Sequence, residues 1–196
     1  EGDRAFCAGG DVKSFYEEKS TNTNQLRKKF FYKEYKLNYI IKKYKKPIIS
    51  FVNGICMGGG VGIAMHSNIT VVSEKVTFAM PETAIGLFPD VGSGKILSKL
   101  ENNIGNYIGL TGKRLGSADL INLKLANYCI KYENFEQVVA SLIKVKTKRS
   151  IINILEKYSL KTKSLLFPIL NKKIFKIFKH NDIEDIIKSL ENNNEK

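Results

Sequence analysis

The chain has 196 residues, 43% of them hydrophobic, which supports one sizeable core and excludes wholesale disorder. No apolar run approaches the roughly 18 residues that a membrane-spanning helix needs. The formal charge of +13 comes from lysines spread along the chain, with no RRM, KH or zinc-finger pattern, so it reads as a solvated basic surface, with a polyphosphate-bearing ligand the best specific alternative.

The chain starts at Glu1 without a Met and runs at once into "AFCAGG" (5–10), the exit of a buried strand into a glycine turn. It stops in polar "NNNEK", so it reads as an internal piece of a longer protein. Residues 12–22 read as a loop. Asn24 caps a helix over about 25–45, whose apolar stripe is Leu26, Phe30, Leu37, Ile41 and Tyr44. Glu34 falls at the edge of that stripe, either as a surface acid pairing with a nearby lysine or as a functional group.

"IISFV" (48–52), bounded by Pro47 and Asn53-Gly54, reads as a fully buried strand. The glycines of "GICMGGGVGIAM" turn into a helix. Strands follow at 69–72 and 76–80, a loop at 81–90, and helices near 91–100 and 103–111. Ser117 caps a helix over 118–125, and 128–130 is a short strand. From about 133 the pattern is helical to the end, with Pro168 kinking or dividing the third of four segments. The fold class is therefore α/β, with residues 1–132 as a strand–helix core and 133–196 as a helical region.

Several motifs offer chemistry. Gly58-Gly59-Gly60-Val61-Gly62 follows a strand and opens a helix, which suits close approach of an anion, either a phosphate or a developing oxyanion. It is not a dinucleotide fingerprint, because Met65 stands where the third glycine belongs. "GSGK" (92–95) fails as a P-loop, since Pro89 and Ile96 flank it wrongly. Gly9-Gly10-Asp11 is a second glycine turn. His66 reads as a satisfied core or capping residue. Cys7, Cys56 and Cys129 lie far apart, with no CxxC and no suitably spaced histidine, so neither a metal site nor a disulfide framework is expected. Glu82 and Asp90 stand in "FAMPETAIGLFPDVG", otherwise apolar residues, Pro and Gly. Two acids fixed by a rigid loop can divide the roles of protonated and ionised group. With the two glycine turns they read as an oxyanion hole facing a carboxylate pair.

"AFCAGGDV", "KPIISFVNGICMGGGVGIAM" and "FAMPETAIGLFPDVG", in that order, resemble the crotonase (enoyl-CoA hydratase/isomerase) superfamily over about residues 1–130, and weakly beyond. The resemblance implies a ββα spiral, here lacking its beginning, followed by a helical C-terminal region. It implies an acyl-CoA thioester held by the N–H groups of Gly10 and Gly59, with Glu82 and Asp90 as catalytic acids. Glu34, Gly59, Glu82 and Asp90 are implied to contact substrate. Hydratases of the superfamily carry a second catalytic glutamate where Gly62 stands and a glycine where Asp90 stands. The implied reaction is therefore thioester hydrolysis of a short 3-hydroxyacyl group, 3-hydroxyisobutyryl-CoA in valine breakdown. The alternatives are hydration or isomerisation, or a non-catalytic CoA-binding fragment. No cofactor or metal is implied, since coenzyme A is part of the substrate, and neither a nucleic-acid nor a membrane partner is expected. A mitochondrial location is implied by the resemblance alone.

Overall fold

The computed structural model describes residues 2–18, 25–163, 172–180 and 182–192. Asn24 and Pro168, read above as a helix cap and a kink, lie outside the described residues.

The strands are β1 (Ala5–Cys7), β2 (Ile49–Val52), β3 (Ile55–Met57), β4 (Ile69–Val72), β5 (Thr77–Ala79) and β6 (Tyr128–Cys129). They form two parallel three-stranded sheets, ordered β1-β3-β5 and β2-β4-β6. Strands adjacent in sequence thus go to different sheets, and each strand pairs with its equivalent one repeat later. Ile49 faces Ile69 and Val52 faces Val72 in one sheet, while Ile55 faces Thr77 and Met57 faces Ala79 in the other. The corner between β2 and β3 is tied to the next corner by a buried hydrogen bond, in which Ser73 Oγ donates to Asn53 Oδ1 over 2.7 Å. Helix α3 (Gly59–Met65) then carries the chain from β3 back to β4. This is a ββα repeat, the expected α/β architecture.

Parallel sheets need cover on both faces. On one side Val52, Val72, Phe78, Met80 and Ile108 are 2% exposed or less and share one core. The other face of β2-β4-β6 is covered by α7 (Phe135–Ile143) and α8 (Lys148–Tyr158), where Val71, Ile130, Phe135, Val138 and Leu155 form a second cluster. Val71 and Val72 point to opposite sides, as pleating requires. The remaining helices are α1 (Val12–Glu18), α2 (Gln25–Lys43), α4 (Ser93–Leu97), α5 (Ile104–Thr111), α6 (Ser117–Asn122), α9 (Lys172–Ile177) and α10 (Ile183–Asn192). No helix among the described residues is long and apolar enough to cross a membrane.

Five details differ from the sequence reading. Residues 12–18 are helical, because Phe15 packs edge-on against Phe30 with ring centroids 4.9 Å apart. "ICM" is a strand, paired on both sides by β1 and β5. "IISFV" alternates half-buried and buried, since its two faces meet different layers. Residues 82–85 of the expected loop form a 3₁₀ turn. Ser117 lies inside α6, which Gly116 caps: the Gly116 N–H donates to Asp119 Oδ2 at 3.3 Å.

Candidate active site

The cavity of interest forms where α1, α2, α3 and the 81–92 loop meet. Gly10, Glu34, Gly59, Glu82 and Asp90, from four separate stretches of sequence, all line one cavity of about 130 Å³. A second lobe of about 370 Å³ shares Gly10, Glu34 and Gly59 and adds Lys33, Leu37 and Asn38. A cavity of about 630 Å³ lies at the far end of α3, with Lys42, Lys95, Lys99 and Lys124 on its walls. It holds none of the three acids, so size does not identify the site; converging chemistry does.

Gly59 is the first residue of α3, so its N–H has no intrahelical acceptor. Gly9 packs against it: a Cβ on Gly9 would lie 3.3 Å from the Gly59 nitrogen. Gly58 has φ +53°, and a Cβ there would lie 3.2 Å from Glu82 Oε1. Only glycine meets both conditions at that turn. A Cβ on Gly59 would run into Glu34 Oε1. The glycine turn therefore brings bare backbone up to two carboxylates.

Glu82 begins the 3₁₀ turn after Pro81 and is 6% exposed, with Oε2 unpaired. Burial raises its pKa, and Asp90 adds to the rise. Glu34 is raised as well, first by burial and then by Asp90 and Glu82. Burial and neighbouring negative charge thus raise both Glu34 and Glu82. Asp90 receives a 2.7 Å hydrogen bond from the Tyr35 hydroxyl, a tie across 55 residues of sequence.

The loop carrying Asp90 is fixed at its far end. Val91 has φ +45°, rare for a β-branched residue and of the kind found at functional sites. His66 Nε2 donates to the Val91 carbonyl at 2.7 Å, and Ser93 N donates to the Asp90 carbonyl at 2.8 Å. His66 is thus a satisfied structural residue, as its sequence setting suggested.

Gly62 lies one turn into α3. A Cβ there would sit 2.7 Å from Val91 Cβ and 2.9 Å from each amide atom of Asn38. The space beside Gly62 is occupied, and a glutamate at this position does not fit. Tyr35 and Asn38 were missed by sequence reading. For Asn38 the available signal was its spacing, four residues after Glu34 on the same helix face. For Tyr35 there was none, because its partner is distant in sequence. Among the described residues, no group of three or more His, Cys, Asp or Glu is placed to hold a metal ion.

The family described as enoyl-CoA hydratase/isomerase matches residues 1–196. The Bos taurus protein named mitochondrial 3-hydroxyisobutyryl-CoA hydrolase is 39% identical over 197 residues, covering 97% of this chain and 51% of that protein. The Homo sapiens protein of the same name is 37% identical, with 97% and 51% covered. The chain spans about half the length of these curated relatives. Among solved structures, a carnitinyl-CoA dehydratase from Mycobacterium thermoresistibile is similar with a TM-score of 0.86 and 30% identity, over 100% of this chain and 56% of that one. An enoyl-CoA hydratase from Rhodobacter sphaeroides 2.4.1 gives 0.76 and 30%, over 97% and 58%. With two interleaved parallel sheets, a glycine turn backed by carboxylates, and a family match from first residue to last, the chain belongs to the enoyl-CoA hydratase/isomerase family.

Proposed function

We propose that the full-length protein hydrolyses the thioester of a short 3-hydroxyacyl-CoA, with 3-hydroxyisobutyryl-CoA as substrate, within valine breakdown. One observation carries the choice of hydrolysis over hydration. Glu82 faces the cavity beside the glycine turn, while the space at Gly62, where a hydratase carries its second glutamate, is filled by Asn38 and Val91. Adding water across a double bond calls on an acid and a base poised on one water, and Gly62 supplies no partner opposite Glu82 for that work. Hydrolysis needs one carboxylate at the carbonyl carbon and donors for the oxyanion.

In this reading the N–H groups of Gly10 and Gly59 hold the thioester oxygen as it becomes an oxyanion, an effect worth about 3–4 kcal/mol per donor lost. Glu82 either attacks the carbonyl carbon or takes a proton from a water that does. By the first route its oxygen forms an anhydride, CoA leaves as the thiolate and is protonated, and water then cleaves the anhydride. The raised pKa of buried Glu82 makes its carboxylate both a stronger base and a stronger nucleophile, so it serves either route. Asp90 and Glu34 orient the 3-hydroxyl and the water. No cofactor enters either route. A mitochondrial location belongs to the same reading, supported by the relatives' names.

The experiment is release of free CoA thiol from 3-hydroxyisobutyryl-CoA by the full-length protein. Glu82→Gln is expected to lose about 10²–10⁴-fold in kcat. Unchanged turnover in that variant, or loss of the enoyl absorbance of crotonyl-CoA in place of thiol release, would sink the assignment.

A further inference from the structure

Among the described residues, helix α2 buries one residue, and it is an amide: Asn38, 6% exposed. Leu37 beside it is 45% exposed, and the apolar Phe30, Phe31 and Ile41 of the helix are only half-buried. Neither Nδ2 nor Oδ1 of Asn38 has a hydrogen-bond partner. A leucine of similar volume would avoid that penalty, so an unpaired buried donor and acceptor requires a reason.

Its position supplies one. Asn38 lines the 370 Å³ lobe and lies one turn of α2 beyond Glu34, while Gly62 beneath it lies one turn of α3 beyond Gly59. A helical turn rises about 5.4 Å. An acyl chain that runs along this lobe from a carbonyl at the Gly59–Glu34 level would bring a substituent on its third carbon to the level of Asn38. The acids around the cavity, Glu34, Glu82 and Asp90, accept hydrogen bonds when ionised and cannot donate them. An alcohol both donates and accepts. Its proton can go to an ionised carboxylate, while its oxygen takes a donor, and the side-chain nitrogens on this lobe are those of the exposed Lys33 and the buried Asn38.

We propose that Asn38 is a specificity-determining residue whose Nδ2 donates to the hydroxyl oxygen of the acyl group. Without ligand the amide packs into the slot formed by Gly62 and Val91; with an acyl group bound it turns into the lobe that its side chain lines. An acyl group without the hydroxyl leaves the amide unpaired and binds less well for that reason. This rests on the thioester-hydrolase reading for the identity of the acyl group.

The test compares two non-hydrolysable CoA analogues on the full-length protein by calorimetry, one with the hydroxylated acyl chain and one with its des-hydroxy twin. Wild type is expected to prefer the hydroxylated analogue by about ten- to a hundredfold in Kd. Asn38→Leu is expected to bring that ratio near one without weakening the des-hydroxy analogue. Asn38→Ala, which removes both donor and acceptor without adding volume, should lose the preference equally and serves if the leucine variant does not fold. A wild type that does not discriminate, a ratio retained in the folded variants, or equal weakening of both analogues overturns the proposal; equal weakening is the result expected if Asn38 holds water or merely structure. The parent reading fails separately, if no thiol is released from the true thioester while both analogues still bind.

Discussion

Gly62→Ala tests the packing that distinguishes this site from one with two glutamates. The added Cβ would lie 2.7 Å from Val91 Cβ and 2.9 Å from Asn38 Nδ2 and Oδ1. Carbon atoms in contact normally stay about 3.5–4.0 Å apart, so the walls must open by about 1 Å. Val91 cannot yield freely: its backbone is already left-handed, and its carbonyl is held by His66. Overpacking of this kind costs about 1–3 kcal/mol. Each kcal/mol lowers Tm by about 2–4 °C in a domain of this size, so a drop of at least about 2 °C is expected by scanning calorimetry. Gly94→Ala is the control, because a Cβ there meets nothing within 4 Å. It is expected to be neutral or slightly stabilising. A Gly62→Ala protein melting with wild type, or a Gly94→Ala protein melting as low as Gly62→Ala, would refute the argument that this slot is full.

Glu34→Gln is expected to stabilise the protein at neutral pH. Burial and the neighbouring acids raise the folded pKa of Glu34, so between the ordinary glutamate value and that raised value the folded state holds more protons than the unfolded. Wild-type stability therefore falls as pH rises through that window. The variant escapes this loss, so its Tm advantage should grow with pH and vanish below the ordinary glutamate value; an advantage independent of pH would contradict the assignment. Tyr35→Phe removes the 2.7 Å hydrogen bond to Asp90 without removing the ring. It should cost about two- to tenfold in kcat/KM for thiol release with little change in Tm, the share of one partly exposed hydrogen bond; no loss in rate would mean that Asp90 holds its orientation unaided.

Much of the site was legible because its signals are local. The two acids stand in an apolar loop bounded by Pro81 and Gly92, and the glycines stand between a strand and a helix. Such contrasts survive in one dimension. The strands at 49–52 and 69–72 were legible for the same reason, as short apolar runs closed by turns. β3 was not, because its three residues show no alternation and their partners lie in β1 and β5, far along the chain. α1 was not, because its support comes from aromatic packing on α2.

By itself the sequence determined which groups are candidates for the proposed chemistry: the acids, the glycines, and the glycine rather than a glutamate at position 62. Tertiary structure decided how they combine. It turned α2 by its Asn38 edge, leaving Leu26, Leu37 and Tyr44 of the apolar stripe exposed. It carried Glu34 to the glycine turn, tied Asp90 to Tyr35, and closed Val91 over Gly62. The physical reason is that residue type and turn propensity are properties of a few neighbouring residues. Desolvation, charge repulsion and steric room are set by what other segments bring to the same few ångströms.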